Sequence, residues 1–163
     1  MNQIGPRILI IDDEQDFLDA TANLLRRLDY EPMITRDVEY ALELIESQTY
    51  DLVLCDLQMP ELDGLEMIRR IHLYAKDLPV VIISAYGTID RAVACMKAGA
   101  YEFIEKPFEV DHLKVVIERA LQFTNLVEER QHLLQQLKAK YKFENIISKS
   151  DGMLKIFKMI ETV

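Results

Sequence analysis

The sequence predicts an α/β fold: a doubly wound, five-stranded parallel sheet with helices on both faces. Three observations point there. Short apolar runs alternate with helical patterns over the first 121 residues. The runs at 51–55 and 79–83 are almost wholly apolar, as parallel strands buried on both faces require. Half of the 163 residues are hydrophobic, enough for a sizeable core.

Taken in order, Arg7–Ile11 reads as the first strand, and Phe17, Leu18, Leu24, Leu25 and Leu28 follow at roughly helical spacing. Glu31–Thr35 is the second strand, followed by a helix carrying Ala41, Leu42 and Ile45. Asp51–Cys55 is the third, and its helix carries Leu65, Ile68 and Ile71. Pro79–Ile83 is the fourth, with Ile89, Val93 and Met96 on the next helix and Gly99 as its stop. Tyr101–Ile104 is the fifth, and a fifth helix begins near Glu109. Strands alternating with helices make βαβ units, whose right-handed crossovers place helices on both faces of a parallel sheet.

The tail has another pattern. Leu113, Ala120, Val127, Leu134 and Tyr141 recur every seven residues, with Val116, Phe123, Arg130 and Leu137 three places after the first four. That is a heptad seam with one Arg in it. A helix from 109 to 142 would be about 50 Å long, more than the sheet needs for cover. A coiled-coil linker is expected beyond about residue 121. Asn145–Gly152 reads as strand or loop, followed by a short helix with Met153, Ile156, Phe157 and Ile160.

Charge divides the chain near the same place. The formal net charge is −9. Residues 1–121 carry a net −11 and residues 122–163 a net +2. The acidity, with a pI of about 4.8, disfavours non-specific nucleic-acid binding by this stretch. Cys55 and Cys95 lie in apolar surroundings without CxxC spacing, so a disulfide scaffold or zinc site is not expected. His72, His112 and His132 are scattered. No apolar run approaches the roughly 20 residues of a membrane span, and no signal peptide opens the chain. A soluble cytoplasmic protein is expected.

The chemistry gathers at strand ends. Asp12 and Asp13 follow the first strand and Asp56 the third. Ligands of open α/β sheets sit outside the carboxyl ends of strands, where strand order reverses. Three carboxylates converging there need protons or a metal to offset their repulsion, and oxygen-only ligands favour Mg²⁺. Ser84 follows the fourth strand and Lys106 lies just beyond the fifth. A hydroxyl and an ammonium beside such a cluster suit a phosphoryl group, with Asp56 as nucleophile. Each residue alone has a plainer reading: Asp12 or Asp13 as helix cap, Ser84 as turn residue, Lys106 as solvated cation. Their joint placement at four strand ends favours the site.

These residues stand in the motifs Ile8–Asp13 (ILIIDD), Asp51–Gly64 (DLVLCDLQMPELDG), Ile83–Ala85 (ISA) and Gly99–Phe108 (GAYEFIEKPF). With them the sequence resembles the receiver domain of bacterial two-component response regulators over about 1–121. The resemblance implies the flavodoxin-like strand order 2-1-3-4-5. It implies Asp56 as phosphoacceptor, and Asp12, Asp13, Asp56 and the backbone carbonyl of Gln58 as Mg²⁺ ligands. Ser84 would reorient on phosphorylation, Lys106 would contact the phosphoryl group, and Phe103 would be the switch aromatic, lacking the hydroxyl of the Tyr common there. The Lys106–Pro107 bond would be cis.

Phe143–Val163 (FENIISKSDGMLKIFKMIETV) resembles the opening of the AAA+ ATPase domain of sigma-54-dependent activators. No G-x-x-x-x-G-K-[ST] phosphate loop occurs in the 163 residues. The expectation is therefore a receiver over 1–121, a helical linker over 122–142, and the start of a truncated ATPase domain over 143–163. The implied partners are a sensor histidine kinase and a second copy through linker and receiver. Sigma-54 RNA polymerase and DNA would be reached only through domains beyond this chain. Two alternatives remain: a Mg²⁺-dependent aspartyl phosphohydrolase, weakened by Gln58 where a second acid is usual, and a non-phosphorylated pseudo-receiver.

Overall fold

A computed structural model describes the backbone at residues 5–60, 62–85 and 87–160, and side chains as far as residue 139. The elements in chain order are β1 (Arg7–Ile11), α1 (Gln15–Arg27), β2 (Glu31–Thr35), α2 (Val38–Ser47), β3 (Leu52–Asp56), α3 (Gly64–Tyr74), β4 (Val80–Ser84), α4 (Ile89–Ala98), β5 (Glu102–Glu105) and α5 (Val110–Ile160). The sheet is parallel throughout, in the order β2-β1-β3-β4-β5. That is the expected architecture and strand order. The chain forms two compact units, Met1–Thr124 and Asn125–Val163.

Strand alternation builds two apolar layers. Leu9, Ile11, Val53, Cys55, Val80 and Ile82 face α2, α3 and α4. Ile8, Ile10, Leu52, Leu54, Val81 and Ile83 face α1 and α5. Every residue of β3 and β4 is buried, which is why their sequences show no polar alternation. Each fully buried Leu, Ile or Val contributes about 1.5–3 kcal/mol against exposure.

Helices bury stripes at helical spacing. These are Val38, Ala41, Leu42 and Ile45 on α2, and likewise Leu18, Ala22 and Leu25 on α1, Met67, Ile68 and Ile71 on α3, and Leu113, Val116, Ile117 and Ala120 on α5. Asp37, Asp63 and Thr88 cap α2, α3 and α4, each accepting a hydrogen bond from a first-turn backbone N–H. Gly99 ends α4 at φ +105°, where a side chain would be strained.

Four expectations shift. Strands β3 and β4 begin and end one residue later than the apolar runs, so Asp56 and Ser84 are the last residues of their strands. Strand β5 is shifted likewise. On α4 the stripe Ile89, Val93 and Met96 is 83%, 44% and 46% exposed, and Cys95 alone is buried. Periodicity marks a stripe on a helix without specifying what covers it. Finally, α5 continues through Asn145–Gly152, read above as strand or loop. The segment holds no proline, and its Asn, Ile and Ser are only weakly unfavourable in a helix. The side chains of Tyr141 and of the 143–163 stretch lie outside the described residues.

The start of α3 lies tight against the loop that follows β3. The Gly64 N–H donates to the Leu57 carbonyl at 2.9 Å. A Cβ on Gly64 would fall 2.8 Å from the Leu57 Cα and 3.0 Å from its carbonyl oxygen. These are backbone atoms and cannot rotate away. Gly64→Ala is expected to destabilise the chain by about 1–3 kcal/mol, read as a lower urea midpoint with unchanged slope.

Candidate functional site

The carboxyl ends of β1, β3, β4 and β5 carry the acidic pocket. Asp12 directly follows β1 and is 1% exposed. Its Oδ1 accepts the Glu14 N–H at 2.8 Å, and its Oδ2 accepts from Lys106 Nζ at 2.7 Å. Both oxygens of this buried carboxylate are thus engaged, the second by a charge-assisted bond. Glu14, rather than Asp12 or Asp13, is the α1 N-cap residue, and its side chain makes no capping hydrogen bond.

Asp56 ends β3 and is also buried. The Gln58 N–H donates to its Oδ2 at 3.0 Å. Its Oδ1 faces Lys106 Nζ at 3.7 Å, within ion-pair range but beyond a hydrogen bond. Burial, foremost, pushes the Asp56 carboxyl above the ordinary carboxylate range, and the charges of Asp12 and Asp13 push the same way. Lys106 and the Gln58 N–H oppose this without cancelling it.

Asp13 is half-buried, and its backbone carbonyl accepts from Arg36 Nε at 2.9 Å. Asp12, Asp13 and Glu14 each bring a carboxylate oxygen within 4.8 Å of the others. That donor set is oxygen only, which suits a hard divalent cation such as Mg²⁺. Asp56 is not in that tight trio, although its charge couples to both neighbouring aspartates. A cavity of about 290 Å³ opens at Asp13, lined also by Arg36, Asp37, Val38, Met59 and Pro60.

Ser84 closes β4 in full burial, and its carbonyl accepts the Lys106 N–H at 2.8 Å. The Lys106–Pro107 peptide is cis. Gln58 is exposed and forms an isolated bridge with Asp63. Phe103 stands on β5. It is half-buried and lines a groove with Ala92, Val93, Met96, Lys97 and Glu102. A Cβ on Gly87 would stand 3.0 Å from the Phe103 Cε1, so the loop after β4 touches this ring.

Cys55 precedes Asp56, and its thiol donates to the Asp56 carbonyl at 3.2 Å. Burial, foremost, and the nearby carboxylates push its pKa up, so it stays a thiol. Cys95 is also a free, buried thiol raised by burial. Neither is placed as a nucleophile.

The structure therefore brings Asp12, Asp13, Asp56 and Lys106 together, with Ser84 tied in through its backbone. Sequence reading missed Glu14 and Arg36. Neither carries a motif signal, since their parts depend on how the β1–α1 and β2–α2 loops meet.

A profile described as the response regulator receiver domain matches residues 8–118. The nitrogen assimilation regulatory protein NtrX of Azorhizobium caulinodans is 43% identical over 130 residues, which is 78% of this chain and 29% of that protein. Crystalline NtrX from Brucella abortus in complex with ADP is similar at TM-score 0.74 and 39% identity, covering 79% of this chain and 30% of that one. The beryllofluoride-activated NtrC4 receiver domain dimer is similar at TM-score 0.70 and 31% identity, covering 72% of this chain and 98% of that one. The chain spans between 27% and 33% of the length of the first curated relatives it matches.

An acid with a folded pKa above its unfolded one costs stability when ionised. The cost is absent below the unfolded pKa and complete above the folded one. Asp56→Asn is therefore expected to raise Tm at neutral pH in chelator-containing buffer. The gain should shrink as pH falls through the raised Asp56 pKa, as thermal melts across pH will show.

Proposed function

This chain belongs to the response regulator receiver domain family, and on that premise we propose a phosphorylation-gated switch with Asp56 as phosphoacceptor. The observation that carries the reading is the asymmetry of Asp56. One of its oxygens is held by the Gln58 N–H, and the other faces the Lys106 ammonium at 3.7 Å without a hydrogen bond.

Asp56 Oδ1 attacks the phosphorus of the donor. The bond from phosphorus to the donor's leaving atom breaks, that atom keeps the electron pair and takes a proton from solvent, and an acyl phosphate remains on Asp56. A raised pKa makes this carboxylate a better nucleophile once ionised. Lys106 offsets charge on the transferring group, and the Ser84 hydroxyl donates to it after reorienting. Asp12, Asp13, Asp56 and the Gln58 backbone carbonyl are the residues that would hold Mg²⁺, which when bound neutralises phosphoryl charge. The close carboxylates of Asp12 and Asp13 support a cation there, and the charge coupling of Asp56 to both supports its share in it.

The donor is a sensor histidine kinase, and the output is carried by the face of α4, β5 and α5. The exposed Val93 and Met96 beside Phe103 support this, because an apolar groove there has a surface to lose or gain. The domains are a receiver over 1–121, a coiled-coil linker over 122–142 and the start of an ATPase domain over 143–163. Exposed Leu134 and Leu137, both on the heptad seam, support pairing of the linker with a second copy. The dimer described for the activated NtrC4 receiver supports pairing through the receiver as well. The full-length regulator would act in the cytoplasm on sigma-54 RNA polymerase and DNA through its other domains. No helix among the described residues is long and apolar enough to cross a membrane.

Two measurements test this. Incubation with a small phosphodonor and Mg²⁺ is expected to add one phosphoryl group by intact mass, lost in Asp56→Asn and strongly slowed in Asp13→Asn. No adduct on folded protein would favour a pseudo-receiver, and steady turnover of phosphate esters a phosphohydrolase. Sedimentation of residues 1–163 is expected to give a dimer, weakened by a cut at residue 121. Monomers at both lengths rule out pairing through the linker.

A further inference from the structure

The Lys106 ammonium has a third neighbour besides its two carboxylates. Its Nζ stands 3.8 Å from the centroid of the Phe17 ring, at the start of α1. The Lys106 side chain is only 14% exposed, so this contact is largely screened from water. The ring is itself braced. Phe108, two residues beyond Lys106, meets it edge to face at a centroid separation of 6.2 Å and an interplanar angle of 89°. Phe17 is half-buried against the core layer shared by α1 and α5.

We propose that Phe17 is a positioning residue for Lys106, its π face holding the ammonium where the phosphoryl group arrives. The inference rests on the reading of Asp56 as phosphoacceptor and Lys106 as the phosphoryl contact. A cation within about 6 Å of a ring centroid is attracted to the negative face, most strongly where water is excluded. The attraction is electrostatic and takes no strong hydrogen bond from the ammonium. An ammonium has three N–H donors, and Asp12 engages one at 2.7 Å. A third carboxylate in place of the ring would take a further donor and deepen the negative charge of the pocket. The ring instead holds the cation while leaving donors for oxygen. Leucine would fill much of the same space without the attraction.

The test separates charge from shape. In the 163-residue chain, Phe17 is replaced by phenylalanines carrying one, two and three ring fluorines, which weaken the negative face at nearly constant size. The readout is the initial rate of intact-mass gain with acetyl phosphate and Mg²⁺. The rate is expected to fall stepwise with fluorine count, by about threefold to thirtyfold in all. Phe17→Leu should fall as far, and Phe17→Trp should keep the rate. Thermal melts of each protein report folding. A flat or rising fluorine series overturns the inference even if Phe17→Leu is slow, because that pattern marks packing alone. No adduct on the parent chain removes the phosphoacceptor reading and this inference with it. An adduct on the parent with a flat series removes this inference alone.

Discussion

One ion pair sets the terms for the pocket. Lys106 and Asp12 are 94 residues apart in sequence and meet at 2.7 Å. Their strands, β1 and β5, are not neighbours, because β3 and β4 lie between them. The lysine must therefore reach across the carboxyl ends of two strands. In doing so it passes Asp56, at the end of β3. Asp12 takes its hydrogen bond, while Asp56 faces the same ammonium at 3.7 Å, an attraction that opposes the burial that raises the Asp56 pKa. The sheet makes this possible by placing every relevant chain end on one edge.

The rest of the fold maintains that edge. Both apolar layers are pinned by alternation along β1, β3 and β4, so a one-residue slip of any of them would exchange its two faces. It would also carry Asp56 or Ser84 out of the pocket. Register and chemistry are thus coupled. The same alternation keeps Cys55 turned toward the α2–α4 layer, although it adjoins Asp56 in sequence.

Most of the sheet was legible in the sequence because parallel strands buried on both faces announce themselves as apolar runs. The run marks burial, however, not hydrogen bonding, which is why Asp56 and Ser84 proved to be strand residues. The motif acids and Lys106 were legible too, being at strand ends. Phe17 was visible only as one apolar position of a helix. Its contact with an ammonium depends on where β5 returns, and no local pattern encodes that. The exposed stripe on α4 has a similar cause. The spacing of Ile89, Val93 and Met96 is that of a core helix, yet the residues of α4 that meet the core layer are Cys95 and the partly buried Ala98. Where helix α5 would stop was misread for lack of a breaker: Asn, Ser and Gly soften a helix, and proline would end it.

The two thiols give the molecule one more property. Both sulfurs are enclosed on the same side of the sheet, and both are held in the unreactive protonated form. Electrophiles and oxidants in the surrounding solution meet neither while the fold is closed. The pocket at Asp56 is thereby kept apart from thiol chemistry, although a sulfur stands one residue away. The same enclosure makes the pair an internal clock: reagent reaching either sulfur counts the moments at which the α4 side of the sheet comes open.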